Sequence, residues 1–124
     1  MFENTKAFSG FAVDDIAAAK QFYGETLGLN VTEAHGLLTL HIAGDRPTIV
    51  YPKPDHTPAA FTILNFPVDD VAKAVADLRA QGVRFETYDT PDLKTDADGV
   101  MRGYGPDIAW FTDPAGNILA VLQA

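Results

Sequence analysis

Three histidines, seventeen acidic residues and no cysteine are what this chain has available for a reactive or metal-binding site. The histidines could give nitrogen ligands, and the carboxylates could hold a hard divalent ion or serve as acid and base. Their placement narrows this. His35 precedes Gly36, and His56 lies within Pro52-Lys-Pro-Asp-His-Thr-Pro58; both sit in turns, where a histidine is ordinarily solvated. His41 differs. On Leu37-Leu-Thr-Leu-His-Ile42 it alternates with Leu40 and Ile42, so it shares a face with Thr39, opposite the helix side. There it either bonds the backbone at a rim or meets a ligand. Asp14-Asp15 and Asp69-Asp70 each stand just before a helical pattern, where an aspartate accepts a bond from a free N–H and faces the positive end of the dipole; they read as caps. There is no Gly-rich phosphate loop and no Gly-x-Ser-x-Gly elbow.

The elements that would position these groups are written twice. Phe11-Ala-Val-Asp-Asp-Ile-Ala-Ala-Ala returns as Phe66-Pro-Val-Asp-Asp-Val-Ala-Lys-Ala. In the first copy a strand over 7–13 precedes a helix from Ile16 to Leu27, with Ile16, Ala19, Phe22, Tyr23 and Leu27 on one stripe and Gly28 as its stop. Strands over 31–34, 37–42 and 48–51 follow, turned at His35-Gly36 and Gly44-Asp-Arg-Pro47. The proline-rich stretch 52–59 links the copies. The second copy is predicted as a strand over 60–68, a helix over 70–80 with Val71, Ala74, Val75 and Leu78 inward, and strands over 83–88, 108–112 and 118–122. Between them, 89–106 is a long loop, and its Met101 and Tyr104 are expected to fold over a cleft mouth as a lid, with Arg102 between them.

With 124 residues, 47% hydrophobic, the chain is expected to be one domain, module one spanning about 5–52 and module two about 60–124. A net charge of −8 argues against a nucleic-acid partner. The polar N-terminus and the lack of an apolar run near the ~20 residues of a membrane span argue against a signal peptide and a membrane partner. With no cysteine to support secretion, a cytoplasmic location is expected.

The order Phe11-x-Val-Asp-Asp, Phe22-Tyr23, Leu27-Gly-Leu29, Val68-Asp-Asp, Leu78-x-x-x-Gly82-Val83 and Ala109-Trp-Phe-Thr-Asp-Pro-Ala-Gly-Asn-Ile-Leu119 resembles the vicinal-oxygen-chelate superfamily. That superfamily includes glyoxalase I, bleomycin-resistance proteins, extradiol dioxygenases and methylmalonyl-CoA epimerase. The resemblance implies an α+β fold of two tandem β-α-β-β-β modules, a curved mixed eight-stranded sheet around a cleft with helices outside, and a homodimer. It also implies where a metal would be held in metal-dependent relatives: Phe8, about Ile49 or Tyr51, Ile63 and Ala120 occupy those positions here. None of these side chains ligates a hard cation, so neither a metal nor another cofactor is expected.

Phe8, Ile63 and Ala120 then describe an apolar cleft floor, suited to an aromatic or partly apolar small molecule held by burial at ~25 cal/mol per Å². Asn65, on the face of Ile63, would be a polar group on that floor. Tyr51 and Trp110 offer flat rings for stacking, although strand alternation does not fix the face of Trp110. The expected ligand-binding set is Phe8, His41, Tyr51, Ile63, Asn65, Met101, Tyr104, Trp110 and Ala120. The expected function is metal-free sequestration of a small molecule. The alternative is a lyase, epimerase or dioxygenase of the same superfamily, its ion held by His41 and a carboxylate such as Glu33 or Glu86.

Overall fold

In the computed structural model, which describes residues 1–103 and 105–123, the second aspartate of each repeated pair caps a helix. Asp15 is extended (φ −137°, ψ 106°) and its carboxylate accepts the Ala18 N–H at 3.1 Å. Asp70 repeats this with φ −143°, ψ 105° and the Lys73 N–H at 3.1 Å. The helices they open are α1 (Ile16–Gln21) and α2 (Val71–Ala80).

The first helix does not run on in α form to Leu27. Over Phe22–Thr26 the chain widens into a π turn, and the Leu27 N–H reaches the Phe22 carbonyl at 2.9 Å. Tyr23 within it is fully buried, its ring centroid 5.2 Å from Phe22 and 5.7 Å from Phe11. Gly28, at φ +73°, ends the segment as expected.

Two compact units, Met1–Thr57 and Pro58–Ala124, divide the chain within the proline-rich stretch. The first holds β1 (Ser9–Val13), β2 (Asn30–Ala34), β3 (Leu37–Ile42) and β4 (Arg46–Pro52), in sheet order β1-β4-β3-β2. The second holds β5 (Thr62–Val68), β6 (Val100–Met101), β7 (Ile108–Thr112) and β8 (Ile118–Gln123), in the matching order β5-β8-β7-β6. In each unit the first strand runs parallel to the last, and the remaining pairs are antiparallel. The fold is therefore α+β, its eight strands among the described residues falling into two four-stranded mixed sheets.

Alternation gives each sheet a helix-facing side and an open side. Leu38, Leu40 and Val50 are fully buried toward α1 in the first unit; Ala109, Phe111 and Leu119 are fully buried in the second, where α2 supplies Val71 and Val75. Each of these leucine, valine and phenylalanine side chains contributes about 1.5–3 kcal/mol by leaving water.

The predicted strand over 83–88 is a correction. Only Phe85 bridges to Phe111, and the Glu86 N–H donates to the Trp110 carbonyl at 2.8 Å. The chain then leaves the sheet for a turn at Thr90–Leu93, strapped back by Thr95 to Tyr88, and resumes the same sheet edge as β6. The two ends of this excursion meet at Gly99 (φ +85°), where a Cβ would lie 3.1 Å from the Glu86 carbonyl. Met101 is accordingly a strand residue, paired with Ile108, not part of a loop lid. The Arg102 guanidinium, next in the chain, donates to Asp96 at 3.1 Å and to Asp107 at 2.9 Å.

Candidate functional site

The open side of the second sheet gathers the densest set of candidate side chains. Trp110 pairs with Ala120, which pairs with Asn65, so these three form one row across β7, β8 and β5. Phe85 contacts the buried ring of Phe111 at 5.5 Å on the helix side, so its neighbour Glu86 falls on the open side and extends the row beyond Trp110. The next row is Met101, Ile108, Leu122 and Pro67. The face of Trp110, which the sequence left open, is thus the open one.

The Trp110 indole N–H donates to the Thr62 hydroxyl at 3.2 Å. Trp110 is on β7 and Thr62 on β5, so the ring must span β8, and the small Ala120 side chain leaves it room. Ala120 is fully buried as a result. Thr62 reaches this side because of a bulge: Thr62 pairs with Ile118 and Leu64 with the adjacent Leu119, leaving Ile63 as the extra residue. Tyr88 completes the corner, its ring at 90° to the indole and 5.5 Å away. Burial, and then the charge of Glu86, raise the Tyr88 phenol above its ordinary value, so it stays a neutral donor.

On the first sheet the open side carries His41, Thr39, Thr32, Ile49 and Tyr51. His41 stands opposite the helix side as alternation predicts, and its Nε2 lies 2.9 Å from the Thr32 hydroxyl. Tyr51 is 43% exposed, and Phe8, just before β1, is 66% exposed. His56 departs from the solvated reading, being half-buried with an Nε2 that has no hydrogen-bond partner among the described residues.

The structure therefore brings together Trp110, Ala120 and Asn65, with Met101 on the same side and Ile63 at the bulge; His41 and Tyr51 share the open side of the other sheet. Tyr104 lies outside the described residues. Sequence reasoning missed Thr62 and Tyr88. The Tyr88 signal was present, since it keeps step with Glu86, whereas the bulge that exposes Thr62 has no sequence signature.

The positions that the resemblance assigns to metal ligands do not suit an ion. Phe8, Ile49, Ile63 and Ala120 offer only hydrocarbon, the alternative Tyr51 only a phenol, and Ala120 has no exposed surface. Among the described residues no three histidines or carboxylates gather to hold a metal. No helix among them is long and apolar enough to cross a membrane.

The profile of the Glyoxalase/Bleomycin resistance protein/Dioxygenase superfamily matches residues 7–121. No curated protein sequence matches the chain significantly. Among solved structures, a glyoxalase family protein from Enterococcus faecalis is 22% identical with a TM-score of 0.71, over 99% of this chain and 100% of that one. TnmS3, an antibiotic binding protein from Streptomyces sp. CB03234, is 25% identical with a TM-score of 0.63, over 94% of each chain. A bleomycin-binding protein complexed with bleomycin is 22% identical with a TM-score of 0.68, over 95% of this chain and 97% of that one.

Proposed function

Because the chain belongs to the Glyoxalase/Bleomycin resistance protein/Dioxygenase superfamily, we propose that it is a metal-free binding protein that sequesters an aromatic small molecule against the open side of its second sheet. The observation that carries this reading is the indole of Trp110, laid across β8 above Ala120 and tied to Thr62. In metal-dependent relatives that position on the last strand would supply a carboxylate. Here a flat ring offers stacking area with its one polar atom already bonded. TnmS3, described as an antibiotic binding protein, supports a binding role at 25% identity. The bleomycin complex supports the capacity of this fold for such ligands.

Trp110 is the single tryptophan, so its fluorescence reports on the site alone. Titration with a panel of planar aromatic compounds gives saturable quenching, and Trp110→Ala abolishes binding of the compounds that quench. A flat response across the panel removes the proposal. Stoichiometric Zn, Ni, Mn or Fe retained through dialysis would instead favour the lyase, epimerase or dioxygenase reading.

A further inference from the structure

We infer that the Trp110 site selects ligands bearing a positive charge, and that Glu86 is the residue that reads it. This rests on the ligand-binding reading above and names its ligand class. Glu86 lies beside Trp110 in the open row, held there by its own N–H on the Trp110 carbonyl. It is half-buried, and every ion pair between described residues uses another carboxylate.

The paired cations of its own unit are engaged with other carboxylates. Lys73 pairs with Asp77, Arg79 with Asp98, Lys94 with Asp89, and Arg102 with Asp96 and Asp107. Arg84, two residues before Glu86, is exposed and forms no ion pair among the described residues. A ligand cation would give Glu86 the ion pair that it does not make among the described residues.

The aromatic groups act on the same charge. The faces of tryptophan and tyrosine attract a cation within ~6 Å of the ring centre, and here the two rings meet at a right angle on the side that Glu86 faces. Glu86 and Tyr88 are two residues apart and share one side, and burial and then the charge of Glu86 raise the Tyr88 phenol above its ordinary value. A net charge of −8 draws cationic ligands toward the protein at long range as well.

Equilibrium dialysis of the full chain with N-methylquinolinium and with neutral quinoline tests the inference, the two probes sharing a ring system and differing in charge. The cation binds about tenfold more tightly. Glu86→Gln brings the cation to the level of quinoline. Raising salt on the wild-type protein narrows the same gap by screening, a readout that needs no variant. Equal affinities in the wild type, or a cation preference that survives both Glu86→Gln and high salt, overturn the selection while leaving ligand binding intact. Binding of neither probe overturns both.

Discussion

The β3–β4 turn and the β7–β8 turn occupy matching places in the two modules and are built on different physics. The first turns on backbone geometry alone, with Gly44 at φ +88° and Asp45 at φ +58°, both exposed. In the second, Asp113 is 4% exposed and its carboxylate accepts the Ala115 N–H at 3.0 Å, the Asn117 N–H at 2.8 Å and the Asn117 side-chain amide at 3.0 Å. The motif Asp113-Pro-Ala-Gly-Asn117, a main carrier of the family resemblance, is thus a brace that fixes β7 against β8. The difference teaches that the module carrying the aromatic corner is also the one whose strand pair is locked by buried polar bonds.

Asp113→Ala gives the largest effect expected from this contrast. It leaves buried N–H groups without acceptors and destabilises the fold by about 3 kcal/mol, against below about 1 kcal/mol for Asp45→Ala. Urea denaturation of both variants measures it, and equal losses would break the comparison.

The sheet edges differ in the same direction. β2 is continuous, while the corresponding edge of the second sheet is interrupted between Glu86 and Val100. Gly99 closes that interruption, so Gly99→Ala meets both a left-handed φ and the Glu86 carbonyl, with an expected loss of about 2–3 kcal/mol. Gly36, in the hairpin turn before β3, has φ +76° and open space around its Cβ position; Gly36→Ala loses only about 1 kcal/mol. Thermal unfolding of the pair sharpens the assignment of strain to the excursion.

The smallest effect is set by pH. The Val100 N–H and then the Arg102 guanidinium hold the Asp96 carboxyl below its ordinary value of 3.8, against an opposing contribution from burial. A depressed carboxylate stabilises the fold above its unfolded value and loses that contribution as pH falls through the folded one. The stability gap between wild type and Asp96→Asn is therefore full near neutral pH and closes below 3.8. Asp96 is solvent-screened, so the gap stays below about 1 kcal/mol. A gap that persists in acid would show that its charge is irrelevant.

What the sequence revealed was local. Asp15 and Asp70 are legible as caps because a cap needs only its own helix, and Gly28 as a stop for the same reason. His41 was placed on the correct side because β3 is regular and alternation holds along it. The strand over 83–88 was misjudged because alternating residues do not reveal where a partner strand ceases to be available. The side of Trp110 is set by its pairing with Ala120, and the reach of Thr62 by a pairing slip; both are properties of two chain segments at once. The π turn was equally hidden, since Phe22 and Tyr23 fit the inward stripe of an ordinary helix.

The extra residue in β5 has an outcome for how this strand tolerates change in length. Thr62 and Leu64 meet consecutive partners, Ile118 and Leu119, although one residue separates them. Losing Ile63 would make the strand regular and keep Thr62 and Leu64 on the sides they now occupy. A lineage could therefore shed a codon here without putting the strand out of phase, a freedom that the evenly paired β3 and β4 lack.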